Sequence, residues 1–350
     1  MNRMSTDIFT FTKDNNIALP VNIEKYLLSV LSPSSSGTEY WESPPPAKIS
    51  ENQFGRILLQ VHQILDIYES MNIDLNNKSF LDVGTGNGMI PRLMCFLSGL
   101  SKSTGADPFL DGQHTTSWQK HDHDETLSGI KGFIEKNCNN RLEYESYSQY
   151  TNRESLIFKP QPIKISKSQN IDYSFHQTGI HDLHTIGEKF DLIYCKAIEH
   201  ISNWESSFSS VSSVANKGAF FYLKHRSFYS YLGPHRYAST GIPWGHLLLS
   251  DSEYKRYTSE FHPSRHNEMN NFMFNGLAYP RYNISDMVKI AQDFGFIFYG
   301  MKIETPKHNS KTFEFINDID QFWEIIQTNY PNLNSQEMFS GIVHIIFKKI

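Results

Sequence analysis

The sequence predicts an α/β fold in which strands end at ligand-facing turns and feed helices, and three observations carry that reading. Phe80-Leu81-Asp82-Val83 has the apolar character of a strand and runs directly into Gly84, Gly86 and Gly88. Ile90, Leu93, Met94, Leu97 and Leu100 then recur at helical spacing. A second apolar strand, Phe190 to Cys195, ends in the polar turn Lys196 to His200. Strand, glycine turn and helix in succession bring a nucleotide-like ligand to a strand end and a helix N-terminus. Glycines suit that turn because a Cβ would hold the ligand away from the backbone.

The remaining elements follow in chain order. Residues 1–49 carry Ser32-Pro33-Ser34-Ser35-Ser36-Gly37 and Pro44-Pro45-Pro46, the composition of an N-terminal extension or linker. Tyr40-Trp41 would anchor it or close over a ligand. Phe54, Ile57, Leu58, Val61, Ile64, Leu65 and Tyr68 form one helical face, with Ser50 and Gln53 as a capping box, so a helix packs beside the sheet before the first strand. Gly129 to Cys138 reads as a helix and 141–168 as a polar and aromatic insertion. Ile171 to Ile180 is a further strand. Trp204, Phe208, Val211 and Val214 mark a helix that Asn216-Lys217-Gly218 closes, followed by an apolar strand from Ala219 to Leu223. A second insertion spans about 227–281. Ser285 to Phe294 is a helix capped by Gly295, and Phe296 to Ile303 and Gly341 to Phe347 are two last strands.

The glycine spacing separates two chemistries. A dinucleotide fingerprint, G-x-G-x-x-G, requires glycine at position 89, where this chain has Met89, and its third glycine comes one residue early. Asp82 would repel a pyrophosphate but attract the ammonium of a methionine moiety, directly or through water. Acidic-x-G-x-G-x-G resembles motif I of the class I S-adenosylmethionine-dependent methyltransferases. The resemblance implies that Asp82, Gly84, Thr85, Gly86 and Gly88 bind the cofactor. Ser103-Thr104-Gly105-Ala106-Asp107-Pro108 resembles the end of that family's second strand, which makes Asp107 the acceptor for both ribose hydroxyls. Asp182, flanked by His181 and His184, matches the acidic residue near the adenine. Phe190-Asp191-Leu192-Ile193, with Glu199-His200-Ile201, resembles the fourth strand and turn of the small-molecule, ubiquinone-type branch and puts Lys196 at the cofactor. The resemblance covers roughly residues 50–350, with its specific motifs between Phe80 and Ile201. It implies a Rossmann-like seven-stranded sheet with an antiparallel last strand, helices on both faces, and insertions that cover the substrate as a lid.

Composition bounds the function. A net charge of −5 argues against general nucleic-acid binding. Cys95, Cys138 and Cys195 are far apart and odd in number, which indicates neither a disulfide framework nor a zinc site and fits a reducing compartment. Signal-peptide and membrane-length apolar runs are missing, so a cytoplasmic, non-membrane protein is expected. His121-Asp122-His123-Asp124 alternates within a polar insertion and reads as a solvated loop, so no metal is expected.

Methyl transfer requires the acceptor in line with the methyl group and, for a hydroxyl, a base for its proton. Histidine suits that task. Lys224 to His246 leaves the fifth strand with His225, His235 and His246 among cationic and aromatic residues, and His200 follows the fourth strand. These four histidines are the base candidates. The aromatic faces suit a ring, and Lys224, Arg226 and Arg236 suit an acidic or phosphorylated one. The expected acceptor is a small polar molecule, with O-methylation of a saccharide or natural-product intermediate as the leading reading. A small amine is an alternative acceptor; a non-catalytic methyltransferase-like binding module is an alternative role. Adenine- and cytosine-type DNA methylation are set aside, since Cys195-Lys196-Ala197-Ile198 replaces N-P-P-Y and no Pro-Cys pair occurs.

Overall fold

The computed structural model describes residues 8–22, 51–86, 88–108, 141–142, 163–164, 173–231, 233–304, 316–317, 319 and 321–350. Strands in chain order are β1 (Ile8–Thr12), β2 (Ala18–Asn22), β3 (Ser79–Val83), β4 (Lys102–Asp107), β5 (Arg141–Leu142), β6 (Ile163–Lys164), β7 (Tyr173–Gln177), β8 (Phe190–Cys195), β9 (Ala215–His225), β10 (Phe296–Ile303) and β11 (Val343–Lys349). Seven of them form one sheet in the order β10-β11-β9-β8-β3-β4-β7. β3 pairs in parallel with β4 and β8, β4 with β7, and β8 with β9. β11 runs antiparallel to both β9 and β10. The chain thus reverses its direction of winding beside β3, and ligands of open α/β sheets sit at such reversals, beyond the carboxyl ends of the strands.

Strand residues alternate between two apolar layers, as the two-residue side-chain period requires. Leu81, Val83, Ile193, Phe221 and Ile345 face Trp204, Phe208 and Val211 of the helix Trp204–Val214 and Met287 of the helix Ile284–Asp293. Phe80, Leu192, Tyr194, Tyr222 and Ile346 face Val61, Ile64, Leu93 and Met94 of the helices Glu51–Ser70 and Met89–Ser98. Both faces are therefore covered. The helix Ile284–Asp293 starts with a reciprocal capping box between Asn283 and Asp286.

Three expectations need correction. The first concerns the N-terminal extension: β1 and β2 form a hairpin whose Phe11, Leu19 and Val21 are buried in a third apolar cluster. The Ser/Pro-rich composition belongs to the chain after the hairpin, and the pattern of 8–22 was masked by it. The second concerns 227–281. That insertion is helical: it folds into the helices His235–Ala238, Gly245–Leu248, Asp251–Phe261 and His266–Asn271, packed with the hairpin and with the helix Phe322–Asn329. The third is local. The helix from Trp204 ends at Val214, and Gly218, with φ of 83°, lies inside β9 where its pairing with β8 shifts register. Asn216 Nδ2 donates to Asp191 Oδ1 (2.9 Å) and fastens that bulge to the neighbouring strand. Tyr40-Trp41, His121 to Asp124, Gly129 to Cys138 and nearly all of 141–168 lie outside the described residues. No described helix is long and apolar enough to cross a membrane.

Candidate functional site

The site builds from the carboxyl ends of β3, β4, β8 and β9. After β3 the backbone turns through Gly84 and Gly88, both with φ of 71°. A Cβ on Gly88 would lie 2.3 Å from the Tyr173 hydroxyl oxygen, and one on Gly84 3.0 Å from Ala197 Cβ. Glycine is required there by conformation and by space. Gly84 N–H and Thr85 N–H donate to the Ala106 carbonyl (2.8 and 3.1 Å), and Gly86 N–H donates to Asp107 Oδ2 (2.9 Å). The Gly86–Asp107 bond ties the glycine turn to the end of β4.

Asp82 is 1 % exposed. Its Oδ2 accepts from Thr85 Oγ1 (2.7 Å), while Oδ1 is buried with no hydrogen-bond partner among the described residues. Burial pushes its carboxyl up to about 7, against the pull of the Thr85 hydroxyl and the Lys196 ammonium. Lys196 leaves β8 and donates to Gln60 Oε1 (3.0 Å); burial lowers its ammonium pKa, against the pull of Asp82 and Glu199. It is the electrostatic bridge between the two halves of the site. Lys224 likewise donates to Gln63 Oε1 (2.6 Å), so one helix, Glu51–Ser70, reaches over two strand ends. Asp182 lies exposed on the turn Ile180–Ile186 after β7, with its backbone oxygen accepting from Thr178 and Thr185.

Beside this cradle, beyond β8 and β9, lies a cleft holding about 290 Å³ of space including its open mouth. Its walls include Glu199, Trp204, His225, Phe228, Pro280 and Tyr282. Trp204 and Tyr282 stack at 4.8 Å, and Trp204 meets His225 edge-on at 5.6 Å. His225 is 2 % exposed, and neither ring nitrogen has a hydrogen-bond partner among the described residues. Burial, then the neighbouring Arg226, hold its imidazole down to about 3, so it is neutral at physiological pH. Glu199 Oε2 is also buried and has no hydrogen-bond partner among the described residues, and burial raises that carboxyl to about 7. His235 reaches Glu199 Oε1 with Nε2 (3.8 Å) and takes Arg226 Nη1 near Nδ1 (3.3 Å). His200 Nδ1 bonds the Gly276 carbonyl (2.7 Å), and its ring lies 4.9 Å from that of His235.

Three of the four candidate histidines are thus brought together, around Glu199. His246 is not. It is buried in the third cluster, where its Nε2 donates to the Phe228 carbonyl (2.8 Å), which makes it a brace of that cluster. Glu199, His200 and His235 place potential ligand atoms within 4.8 Å of one another, an arrangement that the sequence did not announce. The field there opposes a dication: Arg226, Lys196 and Lys224 all act on the single carboxylate, and Arg226 N–H occupies His235 Nδ1. Cys195 is buried at its strand end, and burial pushes its thiol up to about 12, so it is no nucleophile.

Sequence reasoning named Glu199 only as a neighbour of His200 and read Trp204 as a core residue. Tyr282 and Gln60 carried no signal, because only tertiary contact brings them to the site.

No protein-family model matches the chain, and no curated protein matches it in a sequence comparison. Solved structures similar to it include magnesium protoporphyrin IX methyltransferase from Synechocystis PCC 6803 with bound SAH, at 12% identity over 93% of this chain and 99% of that one, with a TM-score of 0.43. The cyclopropane synthase MmaA2 from Mycobacterium tuberculosis is similar at 12% identity over 82% of this chain and 84% of that one, with a TM-score of 0.43. An S-adenosylmethionine-dependent methyltransferase from Mesorhizobium loti is similar at 11% identity over 81% and 96%, with a TM-score of 0.40.

Proposed function

We propose that this chain is an S-adenosylmethionine-dependent methyltransferase that acts on a small molecule and methylates an oxygen. One observation carries the reading: a left-handed glycine turn between two strand-end carboxylates, one of which, Asp82, keeps a buried oxygen without a partner. An orphaned carboxylate oxygen in a closed site calls for a cationic or donor ligand. The cradle fits the cofactor. Asp82 would take its ammonium, Asp107 its ribose diol, and Gly84, Thr85, Gly86 and Gly88 would let it approach the backbone. Lys196 would border it at β8, and Asp182 would lie on its adenine side. When bound, the cofactor supplies a methyl group activated by a sulfonium leaving group.

The chain's own residues then orient the acceptor and handle its proton. Glu199 and His225 present open acceptor atoms to the cleft, and Trp204, Phe228 and Tyr282 exclude water from it. Glu199 is the base this arrangement favours, because a carboxyl near 7 accepts a proton at neutral pH and returns it to solvent. His235 positions it, with Arg226 at its other nitrogen.

The test is Asp107→Asn. The amide oxygen retains an acceptor for Gly86 N–H, so the fold should hold. Loss of the charge-assisted bonds to the ribose, each about 1.5–3 kcal/mol, should weaken S-adenosylhomocysteine roughly 10- to 100-fold by calorimetry. Unchanged affinity in a folded variant would remove Asp107 from the site. Tight binding without methyl release on any acceptor would instead support the binding-module alternative.

A further inference from the structure

Five of the eight large apolar side chains exposed among the described residues lie on one strand, β10. Ile297, Phe298, Tyr299, Met301 and Ile303 are each 41–44 % exposed. Ile350, also exposed, lies beside the start of the strand, where its N–H donates to the Gly295 carbonyl (3.1 Å). β10 is the outermost strand of the seven-stranded sheet, paired with β11 on one side and with no described strand on the other. A long apolar edge strand is an association surface unless something covers it.

The pairing with β11 fixes which backbone groups of β10 are free. Gly295 C=O faces β11 at one end, and Glu304 N–H faces it at the other, donating to the Ile342 carbonyl (2.8 Å). Backbone groups of an antiparallel strand point to alternate sides, and the ladder steps by one residue at the Tyr299 bulge, between Phe298 and Gly300. Counted inward from both ends, Phe296, Phe298, Met301 and Ile303 turn their N–H and C=O groups away from β11. Their side chains share one face of the sheet, in register with Lys349, Phe347, Ile345 and Val343.

Two copies of this strand laid antiparallel, with a two-fold axis between Tyr299 and Gly300, satisfy one another. Phe296 meets Ile303 of the second copy and Phe298 meets its Met301, and no other register pairs all four outward residues. Like charges stay apart, because Lys302 falls opposite Ile297. Tyr299 leaves the axis clear: its ring packs edge-on against Phe220 at 5.0 Å, and its hydroxyl donates to the Met71 carbonyl (3.2 Å) on the opposite face. A foreign segment would need the same apolar row with the same step in the middle, which a second copy has by construction. Side chains of this size carry roughly 200 Å² each, so the five leave about 400–500 Å² open per copy. A pair would bury about 1,000 Å², where specific interfaces begin.

We propose that the free edge of β10 is a dimerisation surface, on which a second copy of this chain docks its own β10 antiparallel and joins two seven-stranded sheets into one across a two-fold interface. Three strands separate β10 from β3 and the glycine turn, so the inference stands apart from the methyltransferase reading.

Light scattering on the full chain after size exclusion, over a micromolar concentration series, should give twice the mass of one chain. Met301→Lys puts a charge in the middle of the row and should give a monomer with unchanged circular dichroism. Hydrogen exchange at the Phe298, Met301 and Ile303 amides should be slow in the wild type and fast in Met301→Lys, with β11 protected in both. The register has its own readout. Phe298→Cys combined with Met301→Cys places paired cysteines about 5.5 Å apart at Cα, within disulfide range, so oxidation should cross-link the dimer. Phe298→Cys alone should not cross-link. A monomer at every concentration overturns the proposal, and so does a dimer that Met301→Lys leaves intact. Cross-linking by the single cysteine as readily as by the pair overturns the antiparallel arrangement about Tyr299 and Gly300.

Discussion

Asp82 sits close to half-ionisation at neutral pH, because burial lifts its carboxyl to about 7 against the opposing pull of Thr85 and Lys196. An ammonium brought to its open Oδ1 favours the charged form and lowers that value. Binding of S-adenosylhomocysteine at pH 7 should therefore release about half a proton, and affinity should strengthen as pH rises through 7. Calorimetry in buffers of different ionisation enthalpy reads the release directly as a slope. Asp82→Asn should bind more weakly and show no slope. A wild-type binding enthalpy that is independent of buffer would show that the ammonium is not placed at Asp82. The same residue shows what sequence could and could not reveal. Its type and spacing before Gly84 were legible, but the missing partner at Oδ1 depends on how Tyr68, Tyr194 and Lys196 enclose it.

At the scale of elements, the β1–β2 hairpin is a structural part of the third apolar cluster, packed with the helices of 235–261. Phe11 is 1 % exposed, meets Tyr257 edge-on at 5.6 Å, and lies under the Arg256 guanidinium at 4.4 Å. Lys13 and Glu253 form a buried ion pair at 2.5 Å, and Glu253 also completes the capping box of the helix Asp251–Phe261. Phe11→Ala should cost about 3–5 kcal/mol locally, the range for emptying a buried aromatic site. Hydrogen exchange should speed in residues 251–261 while β3 and β8 keep their protection, since the sheet has its own two cores. Equal acceleration in the sheet would show that this cluster and the sheet open together. The strands were legible because their alternation and apolar runs report local geometry. The helices of 235–261 were not. Asp251–Phe261 has a strong N-terminal signal in Ser250 and Glu253, yet its buried face is Tyr254, Tyr257 and Thr258, which composition reads as polar. Likewise the hairpin declares itself only by burying Phe11, Leu19 and Val21 against partners over 200 residues away.

For the whole molecule, the buried titrating groups set opposing pH dependences whose balance can be worked out. Asp82 and Glu199 are raised to about 7 in the fold, so their contribution is fully present below about 4 and is lost as pH rises to 7. The buried imidazoles act the other way. His62 and His262 are lowered to about 4, and His225 and His246 to about 3, each by burial first. An imidazole kept neutral in the fold contributes stability above 6.5 that drains away as the unfolded chain takes up protons below it. His200, His235 and His344 are lowered by burial as well, and Glu337 is raised, so between about pH 4.5 and 6.5 seven groups favour higher pH and three favour lower, an excess of at most four protons. At about 1.4 kcal/mol per proton per pH unit, stability should fall by roughly 1–5 kcal/mol for each unit of acidification across that window. Asp191 and Glu253, both held below the usual carboxylate range by their hydrogen bonds, add to the loss below about pH 4.5. Above 6.5 the imidazole contribution is complete while the raised carboxyls still ionise, so the maximum falls near pH 6.5. Urea unfolding at half-unit steps from pH 5 to 8 measures the curve. His246→Gln offers a control, because it removes one titrating imidazole while an amide N–H can still reach the Phe228 carbonyl; the acid limb should become shallower by about one proton. A stability that rises from pH 6.5 down to pH 5 would mean that these histidines are charged in the folded protein, and that the cleft beside Glu199 is wetter than its walls imply.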